Sequence, residues 1–180
     1  MGDPSKLRKK YSKPSHPWQK LRIEEEKVLL KEYGFKNKTE LWVLNSKLRD
    51  FKKQVKDLVP RRDEQAEKEK RQLLTKLQSL NLIGKDAILE DILALELKDI
   101  CERRLQTIVF RKGLAKSIRQ SRQFIVHEHI TVGNHVITSP SYLISTKEEP
   151  LVSFANNALF NNEDHPERQK MTQTAEVKNE

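Results

Sequence analysis

Leu41, Leu44, Leu48, Phe51, Val55 and Leu58 follow one another in alternating steps of three and four, and this series constrains the fold more tightly than anything else in the chain. Such spacing lines all six side chains along one stripe of a 3.6-residue helix, so a second surface must cover them. Lys47, Arg49, Lys53 and Lys56 fall on the opposite side. Asn37 followed by Glu40 has the form of a capping box at the helix start. Pro60 ends the pattern, because proline lacks the amide hydrogen and clashes with the preceding turn. Upstream, Leu21, Val28, Leu29 and Tyr33 recur at helical spacing until Gly34, with Pro17 suited to the first turn and Trp18 a candidate first core residue. Downstream, Ala66, Leu73, Leu77 and Leu80 predict a third helix from about Asp63, its remaining face of mixed charge and solvated. Residues 81–97 read as an apolar, acidic connector.

The next segment repeats the helical pattern in shorter pieces. Leu97, Ile100, Cys101, Leu105, Ile108 and Val109 predict one helix that closes at Gly113, and Ser117 with Gln120 forms a capping-box pair opening another, with Ile118, Phe124 and Ile125 apolar. After His129 the apolar period drops to two. Ile130 and Val132, then Gly133-Asn134, then Val136 and Thr138 signal a tight hairpin. Tyr142-Leu143-Ile144 and Leu151-Val152-Ser153-Phe154 can supply further strands. The expected fold class is therefore α+β: an N-terminal helical region, a small helix-turn-helix unit on an antiparallel sheet, and a polar tail that is disordered or extended. The expected boundaries are 1–97, 98–154 and 155–180.

Charge divides the chain differently. Residues 1–76 carry 22 basic and 12 acidic side chains and residues 98–126 carry eight and two, whereas 77–97 are net −3 and 127–180 net −4. Two basic regions flanking an acidic connector favour a polyanionic partner over an acidic small substrate, with nucleic acid and an anionic membrane surface both open. No run of about 18 apolar residues exists to span a bilayer, and the N-terminus lacks an apolar signal segment, so the expected location is cytoplasmic. Cys101 is the sole cysteine, which excludes internal disulfides and a cysteine-rich zinc site. No metal, cofactor or small-molecule substrate is expected. No nucleophile-and-base or paired-carboxylate arrangement can be assembled, and five scattered glycines cannot build a phosphate loop, so the chain reads as a binding protein and not an enzyme.

The candidate polyanion contacts lie in both basic regions. Arg104 and Arg111 are seven apart, two turns of one helix, and so can meet successive phosphates from one side. Lys116, Arg119 and Arg122 surround a helix start capped by Ser117, where backbone amides and cations together attract phosphate. In the N-terminal arm, Arg8, Lys9 and Lys10 offer charge, and Tyr11 and Trp18 offer rings that stack on unpaired bases. His127 is a further candidate contact. A solvated-face reading of these lysines and arginines competes with the polyanion reading throughout the first region.

The run Glu102-Arg103-Arg104-Leu105-Gln106-Thr107-Ile108-Val109-Phe110-Arg111-Lys112-Gly113-Leu114-Ala115-Lys116-Ser117, continuing through Arg122-Gln123, His129-Ile130-Thr131-Val132 and Val136 to Tyr142, resembles the S-four RNA-binding domain, or alpha-L motif. Met1-Gly2-Asp3-Pro4, Arg8-Lys9-Lys10-Tyr11, Ser15-His16-Pro17-Trp18 and Glu32-Tyr33-Gly34 resemble the start of archaeal small-subunit ribosomal proteins of the S-four family. The resemblance implies a structural constituent that binds small-subunit ribosomal RNA early in assembly, contacts neighbouring small-subunit proteins and supports decoding accuracy. A transient RNA-binding assembly factor, absent from the mature ribosome, is the alternative. The sequence departs from the family pattern at Gln106, where many such domains carry Asp, and in its acidic tail.

Overall fold

The computed structural model describes residues 9–156 and 158–161; Arg8 and the arm before it, and most of the polar tail, lie outside them. In chain order the elements are α1 (Lys20–Glu32), α2 (Lys38–Leu58), α3 (Glu64–Ser79), α4 (Asp91–Ala94), α5 (Leu97–Glu102), α6 (Leu105–Arg111), α7 (Ile118–Val126), β1 (Ile130–Val132), β2 (His135–Val136) and β3 (Val152–Phe154). The architecture is α+β. All six residues of the stripe on α2 are buried, together with Ser46. They meet α1 on one side, α3 on another and the short helices α4 and α5 across the top. Each such side chain contributes about 1.5–3 kcal/mol relative to exposure, which makes α2 the spine of the first core.

α1 departs from expectation. It begins at Lys20, not near Pro17, and Leu21 and Val28 stay exposed. Arg22 holds the backbone carbonyls of His16 and Pro17 and keeps that stretch a turn. Packed mainly on α2, α1 buries Glu26 and partly buries Leu29 and Leu30. The arm is also not independent of the helices. Tyr11 lies against Trp42 with ring centroids 6.3 Å apart, the Ser12 amide donates to Ser46 Oγ at 3.1 Å, and Arg49 donates to Ser12 Oγ at 2.7 Å.

The single helix expected from 97 to Gly113 is two. Thr107 Oγ1 donates to the Cys101 carbonyl at 2.8 Å, closing α5, and the chain at 103–105 turns to meet residues 142–144. Leu105 N–H bonds Tyr142 O at 2.8 Å and Ile144 N–H bonds Arg103 O at 3.0 Å. These bonds use the backbone of Tyr142-Leu143-Ile144, which pairs through an isolated bridge from Leu143 to Arg104 instead of forming a sheet strand. Tertiary hydrogen bonding has overridden the apolar pattern at both places.

The sheet has the order β2-β1-β3, antiparallel throughout. Val132 pairs with His135, leaving Gly133-Asn134 as the two-residue turn, and Gly133 at φ 60° takes the left-handed conformation that a type II′ turn requires at its first central position. β1 and β3 turn Ile130, Val132, Val152 and Phe154 inward onto α6 and α7, forming a second core with Leu105, Ile108, Val109, Phe124, Ile125 and Ile144. Phe160, which falls in the expected tail, packs on this core, its centroid 4.7 Å from that of Phe124. α7 ends in a Schellman arrangement, His129 N–H to Phe124 O and Glu128 N–H to Ile125 O, with Glu128 at φ 63° where glycine is usual.

Candidate nucleic-acid interface

The two cores are joined by the segment between α1 and α2. Gly34 sits at φ 59° against α7, where a Cβ would lie 2.7 Å from Ile118 Cγ2, so only glycine lets the backbones approach this closely. Gln106, fully buried, donates from Nε2 to the carbonyls of Gly34 (3.2 Å) and Ile118 (2.8 Å) and so ties the first core to both short helices of the second. Tyr33 Oη donates to Glu102 at 2.9 Å. The departure at Gln106 from the family pattern thus has a structural use, since an amide NH2 supplies the two donors that a carboxylate lacks.

Glu40 organises the rest of this junction. Its Asn37 neighbour makes no side-chain cap bond, and the expected capping box is not formed. Instead the carboxylate accepts from Arg104 Nη2 at 3.0 Å and from Arg122 Nη2 and Nη1 at 2.8 and 3.2 Å. Burial alone would push the Glu40 carboxyl up, but the bonds and charges of Arg122 and Arg104 outweigh it and hold its pKa below the ordinary value. Arg104 has only 1% of its side chain exposed and stacks its guanidinium 4.2 Å from the Phe35 ring centroid. It cannot also serve as a surface phosphate contact, and its expected pairing with Arg111 is corrected: the break between α5 and α6 turns Arg104 inward. Arg103 is likewise enclosed, bonded to Ile144 O and to Glu149 at 2.8 Å.

The other sequence-derived candidates are placed as follows. Arg111 is 62% exposed and paired with Glu102 at 2.5 Å. Arg119 is exposed, Lys116 and Arg122 are half-buried, and all three belong to α7 or the turn before it. Ser117 caps α7, its hydroxyl accepting from Gln120 N–H at 3.2 Å, while Gln120 Oε1 accepts from Lys116 N–H at 2.8 Å and not from the cap residue itself. His127 is exposed at the end of α7, stacked on His129 at 6.3 Å. Lys9 and Lys10 are exposed, whereas Tyr11 is half-buried by Trp42 and less free to stack on a base than expected. Cys101 is buried and its thiol pKa is pushed up to about 12, which keeps it a small apolar group. Among the described residues no group of His, Cys, Asp or Glu could hold a metal ion, and no helix is long and apolar enough to cross a membrane.

Sequence reasoning missed Glu40 as the shared partner of two arginines, and also Glu26, which is buried and bonded by Arg22 (2.6 Å) and Trp42 (3.0 Å) with Lys38 at 3.1 Å. Burial raises its carboxyl and these partners more than reverse it, leaving it lowered. The pairs at Glu40 span 64 and 82 residues, a separation at which sequence carries no pairing signal.

Residues 103–149, which hold α6, α7, β1 and β2, match the S4 domain family. The chain is 44% identical to the small ribosomal subunit protein uS4 of Picrophilus torridus, covering all of both chains. It is 46% identical to that of Methanococcus aeolicus, over 98% of this chain and 100% of the relative, and 45% identical to that of Ignicoccus hospitalis, over 89% and 96%. The chain belongs to the small ribosomal subunit protein uS4 family.

Proposed function

We propose that the chain is a structural constituent of the small ribosomal subunit that binds small-subunit ribosomal RNA through α6, α7 and the basic N-terminal region. The observation that carries this reading is the full-length match to uS4 proteins, joined to an α7 whose start carries exposed Arg119 beside Lys116 and Arg122. The contact set is Lys9, Lys10, Arg111, Lys116, Ser117, Arg119, Arg122 and His127, with Arg8 and Tyr11 extending it along the arm. Arg104 acts behind this surface by fixing α6 to the first core. Guanidinium and ammonium groups supply affinity through phosphate, while the rigid junction of two cores selects the shape of a folded RNA.

On this reading residues 98–154 form the RNA-binding domain, 1–97 a helical region that widens the contact, and 155–180 a polar extension whose start packs on that domain through Phe160. The protein binds early, nucleates assembly of the subunit body, touches neighbouring subunit proteins, supports accuracy in decoding and resides with the subunit in the cytoplasm. Its role is recognition and not catalysis. The relatives' names favour a resident of the finished subunit over a transient assembly factor. The test is filter binding of the purified full chain to protein-free small-subunit and large-subunit ribosomal RNA transcripts at equal salt. The small-subunit transcript should bind at least tenfold more tightly; equal affinity would leave only general polyanion binding.

A further inference from the structure

Trp18 is 89% exposed, and the structure holds it there. Arg22, in the first turn of α1, donates from Nη2 to the carbonyl oxygens of His16 at 3.1 Å and Pro17 at 2.9 Å, and from Nη1 to Glu26 at 2.6 Å. Glu26 is buried and accepts in turn from Trp42 on α2. A chain of hydrogen bonds thus runs from α2 through a buried carboxylate and a guanidinium to the backbone immediately before Trp18. The turn is fixed in direction, with Pro14 and Pro17 limiting its backbone, and the indole projects from a braced base.

The surroundings indicate what the ring meets. From residue 9 to residue 23 the chain carries Lys9, Lys10, Lys13, Lys20 and Arg22 and no carboxylate. Lys13 and Lys20 are exposed on either side of the turn, Lys20 only loosely paired with Glu24 at 3.9 Å. Leu21, also exposed, lies three residues on in the sequence. An aromatic face among cations matches a nucleobase and its phosphates, every base having a π-face and every linkage a negative charge. An apolar protein partner would require the patch to continue, but beyond Leu21 the helix presents Glu24 and Glu25 before Val28.

We propose that Trp18 is a pre-organised stacking platform for an unpaired RNA base, with Lys13 and Lys20 engaging the flanking phosphates and Arg22 positioning the turn. This rests on the reading that the chain binds ribosomal RNA and adds a second, non-electrostatic contact more than 80 residues from α6 and α7 in sequence. The test compares the full-length protein with Trp18→Leu and Trp18→Phe, titrated with a small-subunit ribosomal RNA transcript and with a fully paired RNA duplex. Because the side chain is exposed, neither variant should change the thermal midpoint.

Trp18→Leu should weaken binding to the transcript about tenfold, the scale expected for removal of one base stack. Its salt dependence and its affinity for the duplex should not change. Trp18→Phe should keep most of the affinity. Quenching of tryptophan emission on binding should be present in the wild type and absent in Trp18→Leu, where only Trp42 emits. Wild-type affinity in Trp18→Leu would overturn the platform while leaving RNA binding by α6 and α7 intact. Equal weakening on transcript and duplex would overturn stacking as the cause. A wild-type protein that fails to bind the transcript would remove both readings together.

Discussion

Replacing Glu40 with alanine is expected to destabilise the protein by about 3–5 kcal/mol, because it leaves a buried guanidinium without its counter-charge. Arg104 is enclosed, and among the described residues its Nε and Nη1 make no hydrogen bond and its carboxylate partner is Glu40. The ring of Phe35 offers some compensation from one face, but a cation–π contact is worth about 0.5–2 kcal/mol and cannot replace the ion pair. Arg122, which is more exposed, can turn to water. Denaturant unfolding measures the destabilisation, and a control separates pair from packing. The double variant Glu40→Ala with Arg104→Met should recover part of the stability, since the stranded charge is gone. If Glu40→Ala costs no more than an exposed ion pair, under about 1 kcal/mol, the junction does not depend on this carboxylate.

The same group makes stability depend on acid. A carboxyl whose folded pKa lies below its unfolded value, near 4.3 for glutamate, contributes fully above that value and loses its contribution as pH falls through the folded pKa. Glu40 is shifted in this direction, so wild-type stability should decline below about pH 4 more steeply than that of Glu40→Gln. Glu26 is shifted the same way and keeps the residual slope in that variant.

The second large effect concerns RNA. Substituting Arg111, Lys116 and Arg119 together with alanine should make the dependence of log affinity on log salt shallower by roughly two to three, about 0.7–0.9 for each phosphate that is no longer neutralised. Binding at low salt should weaken correspondingly. Arg111 and Arg119 are exposed, and the Arg111–Glu102 pair sits at the surface where such pairs contribute little, so the fold should survive. Arg104→Met should leave the slope unchanged, which distinguishes a residue that fixes the junction from one that touches phosphate. An unchanged slope in the triple variant would remove α6 and α7 from the interface.

Features set by local chemistry were legible in the sequence. The α2 stripe is buried residue for residue because its period matches a helix whose other face is charged, and the Gly133-Asn134 turn falls where its geometry demands. The Ser117 cap was visible because cap and amide are three residues apart. What failed depends on distant partners. Arg104 looked like a surface cation because its spacing to Arg111 assumed an unbroken helix, and the break comes from residues 142–144. Glu40 looked like a capping residue because Asn37 is close in sequence, whereas two arginines contributed from far downstream outcompete the backbone for its carboxylate. Trp18 could be read either as core or as ring for a base; the Arg22 bonds that keep it outside join backbone carbonyls to a side chain and leave no trace in apolar spacing.

Residence on small-subunit ribosomal RNA is best tested by crosslinking in cells, with the attached RNA sequenced and the protein followed across a sedimentation gradient. A resident protein should crosslink to small-subunit ribosomal RNA in the fractions that hold mature subunits. Crosslinks confined to precursor particles would contradict residence and turn the chain into an assembly factor, and the absence of ribosomal RNA from the crosslinked material would contradict the ribosomal role altogether.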